Sequence, residues 1–348
     1  MPSLTDNPRT FLGPVTSVTP GTVALFSPYY QSFATHRKWS RFYMGWLSLA
    51  QFPHHFGYCI VNDCLVILKR RLFGKRHIVY AVVPPMHIHG DLNVEKAVVK
   101  ELLALGVDVR ILDEDIPLLD LAGSKITADK NNVEFIYGAQ QMRDGADKNL
   151  RYYAAQSRRA VTEGKATVRS VNHLSNAEVS DSERVTDAWK HAHSRLLSLH
   201  SFVRKFNDFA DGNPTKFCAS LLYDRAPENR RLVGYSVTTM HAPGMGSIDL
   251  RLTIHGDFAV KRPTQALHAL DGMYWTEIQG PNAQLNIGSG VGIKGLTEAK
   301  KLLKPLHSAP MLTLRATKPQ HEDLWTDTVI TAGKVHTPRE SSVLDLFT

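Results

Sequence analysis

Residues 286–305 read NIGSGVGIKGLTEAKKLLKP, with glycines at 288, 290, 292 and 295 running into a basic, apolar-patterned stretch that stops at Pro305. A glycine-rich turn that opens a helix can hold phosphate, through free backbone amides and the positive end of the helix dipole. Gly290, Gly292 and Gly295 satisfy G-x-G-x-x-G. A dinucleotide fingerprint belongs in a first βαβ unit, with an acidic residue about twenty positions on. Here that place is taken by Arg315, and Lys294 is followed by Gly295 rather than Ser or Thr, so the Walker pattern fails too. The plainer reading is a turn whose glycines permit positive φ or close backbone approach.

Two other groups carry chemistry. His87, His89 and Asp91 form H-x-H-x-D, and alternate strand residues share a face, which would suit a metal. The tetrapeptide Ile-His-Gly-Asp recurs at 254–257, however, with Thr253 where the first copy has His87. The shared part is better explained by folding and capping, and no metal is expected. Lys69, Arg70, Arg71, Lys75 and Arg76 crowd into KRRLFGKR, a hairpin tip by its flanks. Such a tip either meets a polyanion or blunts a sheet edge as a solvated turn.

The 348 residues carry 41 Lys and Arg against 33 Asp and Glu, a formal net charge of +8. That balance favours polyanionic partners, DNA or tRNA among them. Hydrophobic residues make up 43% and charged residues 21%, an ordinary globular composition with room for two cores. The longest apolar run, FYMGWLSLAQF at 42–52, is too short for a transmembrane segment. The start, MPSLTDNPRT, lacks a signal-peptide layout, and three cysteines (59, 64, 218) form no paired framework, so a cytoplasmic location is expected.

The elements that must position these groups repeat along the chain. Between 56 and 83 three β-rich segments are separated by an Asn62-Asp63 turn and by the tip at Phe73-Gly74. A helix follows from Asn93, with Asp91 as N-cap and Gly106 as stop, and then the strand VDVRIL. The same order recurs at 216–223, 230–241 and 246–255, then a helical pattern to about Leu270, then QLNIGSG. The two Ile-His-Gly-Asp copies fall at the same strand-to-helix junction, which reads as a tandem duplication. Val185, Trp189, Ala192, Leu196, Leu199, Val203 and Phe206 make one apolar face of a long helix before the second meander, and 28–51 offers a less regular counterpart. The stretch after about 320 loses the pattern and reads as an extended arm.

Helix, antiparallel meander, a turn rich in amides, helix and strand is the order of the GNAT acyltransferase fold, which the chain resembles. More narrowly, it resembles the tandem-GNAT family related to the C-terminal domain of lysyl-phosphatidylglycerol synthases. EFIYGAQQMRDGADKNLRYYAAQSRR at 134–159 resembles the aromatic-then-basic opening of that family's second half, and Trp189 its helix tryptophan. Asn286, Gly292, Gly295-Leu296, Ala299-Lys300 and Pro305 resemble its closing pattern, although Ser289 and Gly290 stand where an acidic residue is usual. The likeness spans roughly 25–315. It implies an α/β (α+β) fold of two tandem GNAT-like units, each a mixed, mainly antiparallel sheet with flanking helices. The expected division is an N-terminal arm (1–24), a degenerate first unit (25–128), an active second unit (129–318) and a tail (319–348) able to dock a partner.

The resemblance also implies chemistry. A GNAT site aligns an amine with a thioester or ester, removes a proton and steadies an oxyanion. Candidate catalytic residues at the meander ends are His241, Asp249 and His255. For the donor, Gly256, Asp257, Lys261 and Arg262 at the second junction, with Asn286, are the candidates. Acyl-CoA (acetyl-CoA) is one donor. Because the usual coenzyme A loop is absent from both junctions, aminoacyl-tRNA, used by lipid-modifying relatives, is the other. The expectation is an N-acyltransferase acting on an amine of a polyanion, such as a modified DNA base. The alternatives are an aminoacyl-tRNA-dependent transferase acting on lipid or peptide, and a non-catalytic nucleic-acid-binding module.

Overall fold

The computed structural model describes residues 12, 15–36, 56–73, 76–121, 124–193, 200–225, 230–289, 294–318 and 320. Strand β1 (Thr16–Ser17) and helix α1 (Thr22–His36) lead into the first meander, β2 (Phe56–Val61), β3 (Cys64–Phe73) and β4 (Arg76–Ala81). Asn62 and Asp63 both sit at positive φ (49° and 57°), which is what a two-residue hairpin of matching twist requires. A short β5 (Met86–His87), helix α2 (Leu92–Ala104), strand β6 (Asp108–Ile111) and a helical turn α3 (Asp115–Leu118) complete the first half. Asp91 caps α2 as its sequence position foretells, its carboxylate accepting from the amides of Asn93 (2.9 Å) and Val94 (3.3 Å).

The connection to the second half is β7 (Ile126–Gly138), followed by α4 (Ala139–Asp144), α5 (Lys148–Thr162), β8 (Ala166–Val171), α6 (Asn176–His193) and α7 (His200–Ala210). Then come the second meander β9 (Phe217–Arg225), β10 (Arg230–Ala242) and β11 (Met245–Thr253), helix α8 (Pro263–Gln279), strand β12 (Gln284–Ser289), α9 (Lys294–Leu302) and β13 (His307–Leu314). The long helix expected over 185–206 is described as α6 and α7, and 194–199 lie outside the described residues, as do most of 28–51, Gly290, Gly292 and the stretch from 321 on.

All the strands join one 13-stranded sheet in the order β1-β2-β3-β4-β6-β13-β7-β12-β11-β10-β9-β8, with β5 against β3. The order is mirrored about its centre, with each half a GNAT-like unit. β4 runs parallel to β6 as β11 does to β12, and the other pairings are antiparallel. At the centre the halves exchange strands. β13, the last strand among the described residues, lies between β6 and β7, while β7 pairs with β12 of the second half. A cut at 128/129 therefore falls inside β7.

The repeated tetrapeptides begin alike and then diverge. Ile88, just after β5, and Ile254, just after β11, each donate one further bond to the neighbouring strand's side, to Asp63 O and Val233 O, both at 3.0 Å. Asp91 then caps α2 at once, whereas Asp257 stands exposed five residues before Arg262, the N-cap of α8. In the H-x-H-x-D stretch the imidazole of His87 accepts from the amides of His89 (3.3 Å) and Asp91 (3.1 Å), so the group builds a turn. Among the described residues no group of three or more metal-ligating side chains is gathered. No described helix is long and apolar enough to cross a membrane.

Candidate functional site

The two parallel strands of the second half touch only briefly. β11 pairs with β12 over Met245–Ser247 against Gln284–Asn286. β12 pairs with β7 along its whole length, and beyond Ser247 β11 continues with β10 alone, so among the described residues the sheet opens along one edge of β11. Where it opens, β11 bulges. Val237 faces Leu250 and Thr238 faces Ile248, which leaves Asp249 as the extra residue. Bulges re-aim a side chain and concentrate beside active sites.

Asp249 is held by two hydroxyls. Thr239 Oγ1 donates to one carboxylate oxygen (2.5 Å) and Ser247 Oγ to the other (2.7 Å). His241 Nε2 lies 2.8 Å from Ser247 Oγ. Since the one Ser247 proton goes to Asp249, His241 donates through Nε2 and the chain runs His241, Ser247, Asp249. Burial pushes the Asp249 carboxyl up to about 6, against the pull of its two hydroxyl donors. Burial, helped by the Lys216 ammonium, holds His241 down at about 3, so its imidazole is neutral. α1 supplies Tyr30, whose ring stands edge-on to His241 at 5.5 Å and whose phenol is kept protonated by burial and by the Asp249 charge. Lys216 donates to Ser27 on the same helix. The first half thus closes over this cluster.

A second buried polar group lies under α8 and α9. Asp271, fully buried, accepts from Ser236 Oγ through both oxygens (2.6 and 2.8 Å) and from Arg251 Nη2 (2.7 Å). Arg251 Nη1 donates to His268 Nδ1 at 3.2 Å, and burial keeps that histidine neutral. Asn286 donates to Glu134 (2.7 Å) and accepts from the Gly288 amide (2.7 Å), tying β12 to β7. Lys300 donates to the carbonyls of Ile287 (2.7 Å) and Gly288 (3.1 Å), and Tyr137 donates to Lys300 O (2.6 Å). Burial, then the nearby Arg251 charge, lowers the Lys300 ammonium to about 7, with Glu134 opposing. This network fixes the C-terminal end of β12. The described part of the glycine stretch, at Gly288, is held by Asn286 and Lys300.

The residues expected from the sequence fall in different places. His241 and Asp249 are brought together, through Ser247. His255 is exposed at the start of the β11–α8 connection and is not part of that cluster. Gly256 is exposed there too, and a Cβ on it would meet the Phe258 ring at 2.5 Å. Asp257 pairs with Lys261 (2.5 Å), both exposed, and that contact holds its carboxyl low. Arg262 lies over the Tyr153 ring at 5.6 Å. Asn286 is fully buried. At the KRRLFGKR tip, Lys69 is not a surface charge but 4% exposed, with its ammonium 5.2 Å from the Phe56 ring centre. Both faces of β3 are covered at this point, residues 64–69 all being buried. Arg70 is half-buried, the side chains of Arg71 and Arg76 lie outside the described residues, and so does Lys75. Sequence reasoning missed Thr239, Ser247, Tyr30, Arg251 and Asp271. Period-2 spacing from His241 and Asp249 would have reached Thr239 and Ser247.

No family model matches the chain, and no curated protein matches it. Solved structures do. A conserved protein of unknown function from Bacteroides thetaiotaomicron superposes with a TM-score of 0.62 at 12% identity, over 86% of this chain and 98% of that one. L-PGS from Bacillus licheniformis gives 0.59 at 17% identity, over 87% and 93%. The DUF2156 C-terminal domain of a protein named for lysylphosphatidylglycerol synthesis, from Agrobacterium fabrum, gives 0.53 at 10% identity, over 84% and 92%. The fold is a tandem GNAT fold. At these identities the fold is what is shared, and it is the fold that the sequence resemblance implies.

Proposed function

We propose that the chain is a GNAT-type acyltransferase that moves an acyl group, acetyl or aminoacyl, from a thioester or ester onto an amine, with the reaction in the second half. The observation that carries this reading is the position of Asp249, on a bulge at the point where β11 parts from β12. A neutral amine attacks the donor carbonyl carbon, the new C–N bond forms, and the bond to sulfur or oxygen breaks. The nitrogen's surplus proton passes to Asp249, whose raised pKa suits a base working near neutrality. Thr239 and Ser247 orient the carboxylate, and neutral His241 orients Ser247. Beyond Ser247 the opening edge of β11 has no strand beside it among the described residues, so its amides can steady the oxyanion.

Gly256, Asp257, Lys261 and Arg262 are proposed to meet the donor's phosphates. In support, α8 begins with Pro263 after an N-cap without a side-chain bond and has no acidic residue in its first turn, leaving amide donors for an anion. An aminoacyl donor is favoured by the likeness to L-PGS, a name that speaks of a lysyl group joined to a lipid headgroup. The net charge of +8 suits a polyanionic carrier of donor or acceptor, a nucleic acid among them. The test supplies the protein with labelled acetyl-CoA or aminoacyl-tRNA and a panel of amines. Transfer by the wild type and its loss in Asp249→Asn are expected, and no turnover with either donor would remove the proposal.

A further inference from the structure

β4 is covered by strands unequally on its two edges. Toward β3 it is paired from Arg76 to Ala81. Toward β6 it is paired only at Tyr80 and Ala81, because β6 begins at Asp108, level with Tyr80. Val79 turns its N–H and C=O to the β6 side, where Gln320 takes them, and the alternation of a strand turns those of His77 the same way. Among the described residues no strand lies beside His77 on that side. An edge of this kind is a template for a further strand.

The chain itself arrives at this edge. After β13, Arg315 Nη1 donates to Asp108 Oδ2 (2.7 Å) and Ala316 N to Asp108 Oδ1 (2.8 Å), which carries the backbone past the start of β6. Gln320 then does with its carboxamide what a neighbouring strand does with a peptide unit. It accepts from Val79 N (2.9 Å) and donates to Val79 O (3.0 Å). From Tyr80 on, β6 closes the edge, so it stays open only toward Arg76 and the KRRLFGKR tip. Residues from 321 on lie outside the described residues, but their sequence bears on the edge. It begins His-Glu-Asp, and 321–333 hold Glu322, Asp323 and Asp327 with no Lys or Arg. The tip holds Arg70, Arg71, Lys75 and Arg76.

We infer that the stretch of this chain just after Gln320 docks along the open edge of β4 as an added strand, with Glu322 and Asp323 against the basic tip. The arm comes from the level of Tyr80 and runs toward Arg76, so it lies antiparallel to β4. Both strands advance by about 3.3 Å per residue. With Gln320 at Val79, Glu322 comes level with His77 and Asp323 with Arg76. Main-chain bonds to His77 hold the added strand, and opposite charges across the pair favour this path over one that leaves the edge. The chain's own arm is favoured over that of a second copy because Gln320 already sits one residue pair away, so closing the remaining loop costs little entropy. The arm thus takes the place that the composition offers to a polyanion, and the tip's charges are matched within the chain. The inference is independent of the acyl-transfer reading.

Hydrogen–deuterium exchange of the full chain tests this, read by mass spectrometry on overlapping peptides that isolate the His77 amide and corrected for intrinsic rates. Four proteins are compared: the wild type, Glu322→Lys/Asp323→Lys, Lys75→Glu/Arg76→Glu, and all four changes together. The His77 amide should exchange about tenfold faster in each double variant than in the wild type. In the quadruple variant, where the charges face each other reversed, the slow exchange should return. Amides of β9 and β10, far along the sheet, should exchange alike in all four proteins, which shows that each is folded. Equal exchange at His77 in the wild type and Glu322→Lys/Asp323→Lys, or no recovery in the quadruple variant, would overturn the inference. Protection that grows with protein concentration between about 1 and about 100 µM would give the edge to a second copy's arm, and would overturn it as well.

Discussion

Replacing Asp249 by Asn should make the protein more stable as pH rises, and the size of the gain follows from the site. The folded carboxyl titrates at about 6 against 3.8 for the free group, so the folded chain holds this proton more tightly than the unfolded one. Such a group contributes stability that is fully present below the unfolded pKa and is lost as pH rises through the folded value. A shift of about 2 units corresponds to a loss of about 3 kcal/mol as an upper figure. Asn cannot ionise, and one neighbouring hydroxyl can turn to accept from its NH2 while the other goes on donating to its carbonyl oxygen, so the variant escapes the loss. Urea melts of both proteins between about pH 4 and about pH 8 give the difference in unfolding free energy, in which titrations common to both proteins cancel. The difference should grow in favour of Asp249→Asn mainly between those limits, by about 2–3 kcal/mol. A difference that stays constant within about 0.5 kcal/mol would refute the half-buried, proton-binding carboxyl.

Asp271→Ala leaves Arg251 charged and buried without its carboxylate, so chemical denaturation should show a loss of about 3–5 kcal/mol. Gly272→Ala should cost about 1–3 kcal/mol by the same assay, because a Cβ there would lie 2.5 Å from Arg143 N and 2.6 Å from Ala139 O, where α8 crosses α4. Lys261→Ala with Arg262→Ala should raise the donor's KM while the melting temperature barely moves, since the Lys261–Asp257 pair is exposed. Lys96→Ala, in the first half, should leave the donor's KM unchanged.

The meanders were legible because period-2 apolar patterning and turn residues mark them locally. β2, β3, β9, β10 and β11 begin and end within about two residues of the sequence reading, well inside the usual error of such boundaries. The capping role of Asp91 was legible for the same reason: it acts on amides two and three residues away. β13 was missed although HSAPMLTL is apolar at alternate positions, because what makes it a strand is β7, more than 160 residues earlier in the chain. The strand exchange at the centre of the sheet has no local signature at all. In the site, the likeness to the family's closing pattern drew attention to Asn286 and Lys300, and the structure joins them to Glu134 and Tyr137 of the other quoted stretch. Asp249 could be named as a candidate, but its bulge could not. A bulge depends on the register of two strands, and no residue type dictates it. The Ile-His-Gly-Asp repeat misled in its last residue, since Asp257 lies too far before α8 to cap it.

The central claim is that Asp249 takes the proton during acyl transfer. Its most direct test is the pH dependence of kcat/KM for the wild type, measured with whichever donor the protein accepts and expressed per neutral acceptor amine, so that the amine's own titration is removed. The account predicts a rise with unit slope that levels off above about pH 6, and in Asp249→Asn a rate lower by about 10²–10⁴ with that inflection gone. Asp249→Asn retaining the wild-type rate and the same inflection would contradict the claim.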